Sequence, residues 1–417
     1  MLVSAVLVGL LAIVFAWAGD GAQHGFTILT GRWPYASLVL TPLIFVGVAA
    51  LTRRFAPDAR GSGIPQVIAA SRTVTHENEG RDTLGLLSVR TGLAKLVLSV
   101  GALLGGGSVG REGPTVQLGA AVMVQVHRMF GVRVTPGVLI AGGAAGVAAA
   151  FNTPLAGIAF AIEELAVAYE QRVAVLVMGA VMVAGLTAQG IAGEYIYFGR
   201  VASGLPLATV LLAAPLAGIG GGIAGGLFAR CMLALRGPDG TWKALLSRRP
   251  LVTAGLCGLV VAVIGVASGG ATWGTGYEPT RALLEGGDSA YWFGPAKFLA
   301  SLATAASGIP GGIFAPSLAV GAGFGDLLTP LFAAEHTGAI VLLGMAGYFV
   351  GVVRAPLTAV IILSETTGST SVILPLFATC LIGDWAGGLV CRERLYHALA
   401  RDFLPKRDGE PSAAEIR

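Results

Sequence analysis

Three short motifs built on glycine and proline interrupt long apolar stretches of this chain: Gly61-Ser62-Gly63-Ile64-Pro65, Gly110-Arg111-Glu112-Gly113-Pro114 and Gly311-Gly312-Ile313-Phe314-Ala315-Pro316. Proline suits the first turn of a helix, where its missing N–H costs no hydrogen bond. The pattern therefore predicts three helices that begin inside apolar surroundings. A helix start leaves backbone N–H groups uncovered and carries partial positive charge, which suits an anion. At membrane depth such a break survives only where it is buried in protein or lines a polar cavity.

The surroundings are those of a membrane protein. Hydrophobic residues make up 54% of the 417 and charged residues 12%, against about a quarter charged in soluble domains. Trp33–Leu51, Leu86–Leu104, Val173–Ala188, Leu205–Leu235 and Leu251–Ala267 approach or exceed the roughly 20 apolar residues that span a bilayer. Basic residues gather at Arg53, Arg54, Arg60 and Arg72, at Arg128 and Arg133, at Arg236, Lys243, Arg248 and Arg249, and from Arg392 to Arg407. The alternate loops hold mainly Arg32, Arg200 and Arg281. The positive-inside rule then predicts a multi-pass protein of the cell inner (plasma) membrane with a cytoplasmic C-terminus. The net charge of +4 fits this topology and gives no reason to expect nucleic acid as a partner. Met1–Ala18 lacks a basic n-region and reads as a retained first span. Cys231, Cys257, Cys380 and Cys391 lack metal-ligand spacing and read as small core residues.

An internal repeat orders the whole chain. Sliding the sequence by 202 positions aligns Gly113-Pro114 with Ala315-Pro316, Gly119-Ala120 with Gly321-Ala322, Pro154-Leu155 with Pro356-Leu357, and Glu163 with Glu365. The expected fold is an all-α polytopic membrane protein with two inverted-topology repeats, about 1–200 and 201–400. Their broken helices would meet near the bilayer midplane. One transmembrane domain over 1–404 and a short polar cytoplasmic tail over 405–417 complete the expected organisation. Glycine-rich stretches such as Gly218–Gly226 and Ala141–Gly146 predict faces for close helix packing.

Within this frame a few residues carry chemistry. Glu112 is an ionisable group in apolar sequence at a predicted helix start, and such a residue is a functional candidate by default. Adjacent residues rarely face each other on a helix, which argues against pairing with Arg111. Ionised, the carboxylate would occupy the place an anion would take; protonated, it would lose that attraction. Ser62 offers one hydroxyl; locally it reads as an N-cap worth about 1 kcal/mol, and its Gly-Ser-Gly-Ile-Pro setting adds a functional reading. Glu163 and Glu164 point about 100° apart on a helix. Glu163 has its repeat mate in Glu365 and belongs to the scaffold. Glu164 aligns with Thr366, and the unmatched carboxylate is the better proton-transfer candidate. Tyr396, in a predicted helix over Arg392–Ala400, reads locally as an interfacial tyrosine.

Four motifs in this order and spacing, the three above and Leu395-Tyr396, resemble the CLC chloride channels and transporters over nearly the whole chain. The resemblance implies an anion site formed by Ser62 and Tyr396 side chains with the backbone N–H groups of Ile313 and Phe314. It implies Glu112 as the gating glutamate and external proton site, and Glu164 as the internal proton-transfer residue. A serine at position 62 is similar to that of chloride-selective members. Glu164 favours a secondary active transporter that exchanges chloride for protons; the alternative is a passive chloride-selective channel of the same fold. Also implied are a homodimer within the lipid bilayer, no cofactor, and, on the expected extent of the chain, no nucleotide-binding regulatory domain. Val173–Ala188 and Val372–Ile382 are apolar stretches available for such an interface. Gly106-Gly107-Ser108-Val109-Gly110 matches a hydrolase nucleophile pattern, but that pattern works as a strand-to-helix turn in a soluble sheet, so no enzymatic activity is expected.

Overall fold

The computed structural model describes residues 1–74, 84–166, 171–193, 198–199, 201, 204–287 and 289–404. Arg200, His76 and the tail 405–417 lie outside the described residues. The first half forms α1 (Leu2–Arg32), α2 (Ser37–Phe55), α3 (Ile64–Thr73), α4 (Val89–Leu104), α5 (Glu112–Met129), α6 (Pro136–Phe151), α7 (Pro154–Phe160) and α8 (Gln171–Ala192). The second forms α9 (Leu207–Arg236), α10 (Lys243–Arg248), α11 (Pro250–Ala267), α12 (Tyr277–Leu284), α13 (Phe293–Ser307), α14 (Phe314–Asp326), α15 (Thr337–Val353), α16 (Pro356–Thr367), α17 (Ile373–Val390) and α18 (Leu395–Ala400).

The three motifs do start helices, at Ile64, Glu112 and Phe314. Other boundaries differ from the sequence reading. The apolar run Leu86–Leu104 does not form one span: a 3-10 turn occupies Leu84–Leu87, and α4 begins at Val89 because Ser88 Oγ accepts from the Thr91 N–H at 3.2 Å. The helix expected over Arg392–Ala400 begins only at Leu395.

Seven helical segments among the described residues are long and apolar enough to cross a membrane. The segment ending in α15 is 89% buried over its most apolar window, whereas the other six are at most 44% buried. Alpha-helix α15 is thus a core element, and the remaining six present the apolar outer surface that lipid would cover. Small residues permit the close packing around it. On α9, a Cβ at Gly222 would lie 2.5 Å from the Gly383 carbonyl oxygen of α17, and one at Gly221 would lie 2.6 Å from the Tyr348 nitrogen of α15.

The repeat is geometrically real. Gly110 and Gly312, mates in the 202-residue slide, donate their N–H groups to each other's carbonyls, both at 2.8 Å, in an antiparallel pair. A pseudo-two-fold axis therefore passes between them. Asn152 and Arg354 are also mates, and they are the two non-glycine residues with left-handed backbone among those described (φ 57° and 65°). Each ends its helix and turns the chain into the Pro-initiated helix that follows. Buried Lys95 and Lys297 are a third pair: Lys95 Nζ donates to the Ala59 and Gly61 carbonyls at 2.7 and 2.6 Å, and Lys297 Nζ to those of Thr272 and Gly274 at 2.9 and 2.8 Å. From the axis, α5 runs to a loop carrying Arg133, with Arg128 in its last turn, whereas the segment after α14 carries Glu335 and no lysine or arginine before α15. That asymmetry places the two helix ends on opposite membrane faces, as inverted repeats require.

Candidate functional site

Ser62 precedes α3 in a tight double turn that needs Gly61 at φ 65° and Gly63 at φ 108°. Gly63 is the residue that caps the helix, so the N-cap reading of Ser62 fails. The Ser62 hydroxyl is buried, with no hydrogen-bond partner among the described residues, and packs against the backbone of Gly113. The second repeat reproduces the turn at Gly274 (φ 65°) and Gly276 (φ 85°) ahead of α12. There the corresponding hydroxyl, Thr275 Oγ1, is 3.4 Å from Gln23 Oε1, which also accepts from the Thr275 N–H at 3.2 Å. One member of the pair is tied down, and the other has no hydrogen-bond partner among the described residues.

Tyr396 contradicts its local reading as an interfacial tyrosine. It is fully buried, and its hydroxyl lies close to that of Ser62 without a well-formed hydrogen bond to it or to any other described residue. Its ring stands 5.9 Å from that of Phe314, which is also packed against Phe349 (5.0 Å), Phe160 (5.7 Å) and Phe151 (6.2 Å). This aromatic cluster fixes the start of α14. Ile313 is the helix N-cap and Phe314 its first residue, positions whose N–H groups have no acceptor within the helix.

Ser62, Ile313 and Tyr396 line one cavity of about 360 Å³, which also includes Arg53, Arg60, Arg236 and Lys243. Arg60 is held over the Phe403 ring (4.8 Å), and Arg236 Nε donates to the Ala306 carbonyl at 2.7 Å. Asp402 also lines it and pairs with Lys243 at 2.8 Å, so the three arginines leave a net positive lining that raises the local concentration of anions.

Glu112 lies beyond this cavity, one residue from the Gly113 backbone that backs Ser62. It is fully buried; Oε1 accepts a hydrogen bond from the Tyr277 hydroxyl, and the carboxylate lies toward the N–H groups of its own residue and of Ala315. Two helix starts, of α5 and α14, thus face one carboxylate, as they would face an anion. Its neighbour Arg111 turns away, to Asp20 (3.0 Å) and the Ala16 carbonyl (3.1 Å).

Glu164 occupies a π-turn, Ala161–Leu165, that extends α7; such turns often occur at functional sites. It is fully buried, and neither carboxylate oxygen has a hydrogen-bond partner among the described residues. His397 Nε2 stands 3.6 Å from Oε1, with the guanidinium groups of Arg394 and Arg72 also near. The other ring nitrogen of His397 contacts Arg72. Adjacent Glu163 points elsewhere, to the N–H groups of Leu357 and Thr358.

Ser62, Ile313 and Tyr396 thus share one cavity, Phe314 packs on Tyr396, Glu112 lies beyond Ser62, and Glu164 stands apart beside His397. The sequence reading passed over Tyr277, His397 and the lysine pair. The slide by 202 would have exposed Lys95 and Lys297, and the Gly-x-Gly turn before Tyr277 echoes Gly61–Gly63.

The fold and this cluster define an all-α membrane protein in which two helix starts face one buried carboxylate. The family described as "Voltage gated chloride channel" matches residues 43–388. A H(+)/Cl(-) exchange transporter ClcA of Klebsiella pneumoniae is 33% identical over 415 residues, covering 94% of this chain and 83% of that protein. A ClcA of Yersinia pseudotuberculosis is 31% identical, covering 97% and 87%. The crystal structure of a slow cyanobacterial Cl-/H+ antiporter matches with a TM-score of 0.80 at 25% identity, covering 98% of this chain and 97% of that one. A CLC-type fluoride/proton antiporter shares the fold, with a TM-score of 0.79 over 95% of this chain and 96% of the other. The chain belongs to the voltage gated chloride channel family, the CLC proteins.

Proposed function

We propose that this protein is a secondary active transporter that exchanges chloride for protons. The observation that carries the reading is the burial of two separate carboxylates, Glu112 bonded to the Tyr277 hydroxyl and Glu164 without a hydrogen-bond partner among the described residues and 3.6 Å from His397. A passive anion path has no use for the second. Chloride enters from the basic cavity and exchanges its water for the hydroxyls of Ser62 and Tyr396 and the N–H groups of Ile313 and Phe314. Ionised Glu112 fills the outer end of the path; on taking a proton it gives up its attraction to the helix starts and admits the anion. Glu164 passes protons between Glu112 and the cytoplasm. Because a proton and a chloride compete for one place, flow of either drives the other in the reverse direction.

The working unit in this reading is one transport domain over 1–404, paired as a homodimer in the inner membrane. The basic cavity and the C-terminal end face the cytoplasm, in keeping with Arg53, Arg60, Arg236 and Lys243 around the cavity.

The test is proton movement into liposomes holding the purified protein, driven by a chloride gradient with voltage clamped by potassium and valinomycin. Uphill proton movement is expected. Chloride flux without proton movement would make it a channel.

A further inference from the structure

We propose that Tyr277 is the latch of the gate: its phenol holds Glu112 in the path-blocking position and lets go when the carboxylate is protonated. The inference rests on the reading of Glu112 as the gate.

The phenol is not required by the local fold. In the first repeat the same turn, with glycines of matching backbone at positions 61 and 63, leads into Ile64, an apolar residue buried in the core. In the second repeat it leads into Tyr277, whose hydroxyl reaches across to Glu112 Oε1 on α5, 165 residues away in sequence. The helix start is equally well made with either side chain. The hydroxyl is therefore an addition directed at the carboxylate.

The ring is held so that the hydroxyl cannot swing. It packs on Phe198 at 5.7 Å, and the Arg111 guanidinium sits 5.7 Å from its centroid. Arg111 is in turn anchored by Asp20 at 3.0 Å. A cation over the ring polarises the phenol toward donation. The titratable and charged groups near Glu112 are the Tyr277 hydroxyl on α12, Tyr396 on α18, and Arg111 at the cap of α5, whose guanidinium is turned to Asp20, with the N-terminal end of α14 beside them; none among the described residues is a second carboxylate in contact with it.

Such a donor discriminates between the two states of the gate. A hydrogen bond to an ionised carboxylate is roughly twice as strong as one to a neutral group. The latch therefore grips the blocking, ionised form and weakens as the proton arrives. It sets how readily the gate opens without touching the anion, which makes Tyr277 a positioning residue.

Tyr277→Phe tests this directly, because the ring contacts to Phe198 and Arg111 remain and only the hydroxyl is lost. In liposomes the variant is expected to keep proton coupling. Its chloride turnover at a fixed pH rises, and the pH of half-maximal exchange moves up by about one unit, a tenfold change in the gate's protonation equilibrium. In a Glu112→Ala background the same substitution is expected to change neither rate nor pH profile. An unshifted pH profile in Tyr277→Phe, or an equal rate increase with and without Glu112, would overturn the latch. Persisting proton coupling in Glu112→Ala alone would instead overturn the gate reading beneath it.

Discussion

Glu163 and Glu365 cap each other's helices. The Glu163 carboxylate, at the end of the α7 turn, accepts from the N–H groups of Leu357 (2.9 Å) and Thr358 (2.7 Å) at the start of α16; Glu365, near the end of α16, accepts from Leu155 (3.1 Å) and Ala156 (2.8 Å) at the start of α7. Both helices begin with proline inside the protein, and each exports its exposed donors to the other repeat's carboxylate. The exchange welds the two halves beside the pseudo-two-fold axis.

The symmetry makes a quantitative prediction. Glu163→Gln and Glu365→Gln each keep one acceptor oxygen and set an NH2 against the second backbone N–H, so each loses one bond outright and the charge assistance of the other, at about 2–3 kcal/mol. Thermal unfolding of the purified variants should show two similar decreases in melting temperature. The double variant should lose less than the sum, because both bonds serve one interface. A large decrease for one and none for the other would mean that the two caps are not equivalent.

Removing the gate carboxylate should separate the two fluxes. Glu112→Ala leaves the Ser62–Tyr396 constriction and both helix starts in place, so chloride flux persists. Coupled proton uptake should fall to the level of protein-free liposomes. The liposome assay reads both quantities in one experiment.

At the other proton site, Arg72 decides what His397 can do. A guanidinium only donates, so the ring nitrogen it contacts, Nδ1, must accept, and the proton of the neutral ring sits on Nε2, facing Glu164. His397→Phe removes a polar N–H that stands 3.6 Å from the carboxylate, beyond a direct hydrogen bond, and should slow proton-coupled exchange by no more than about threefold. His397→Gln, which can still donate, should recover part of the loss. Glu164→Gln should abolish coupling while chloride flux continues.

What the sequence revealed and what it hid follow from the range of the forces involved. Glycine and proline act on their own backbone, so the starts at Ile64, Glu112 and Phe314 were readable from five or six residues each. The repeat was readable because pairs such as Glu163 and Glu365 keep both identity and spacing. Tyr396 was misread locally: it sits in a helical turn beside arginines, and only its packing on Phe314, 82 positions earlier, buries it. Tyr277 and His397 were invisible for the same reason. Each acts on a carboxylate brought to it by the packing of distant helices, and nothing in its neighbours' chemistry announces that partner. Leu86–Leu104 shows the opposite error, an apolar run whose one capping serine splits it into a turn and a helix.

The unequal turns before α3 and α12 provide an internal control for the anion site. Ser62 and Thr275 stand at corresponding points of the same glycine-flanked turn, but the Ser62 hydroxyl has no protein partner among the described residues, while Thr275 is held by Gln23. If an unpartnered hydroxyl marks the anion's ligand, Ser62→Ala should weaken chloride binding by about tenfold, the loss of one hydrogen bond to a charged group. Tyr396→Phe should do the same, and Tyr396→Ala should weaken it further by loosening the start of α14. Thr275→Ala should leave chloride affinity unchanged and lower only the melting temperature. Calorimetric titration of the four variants with chloride, beside their melting curves, separates these outcomes. Equal losses of affinity at Ser62 and Thr275 would mean that both turns act through the scaffold, and that the hydroxyl facing the cavity is not a ligand.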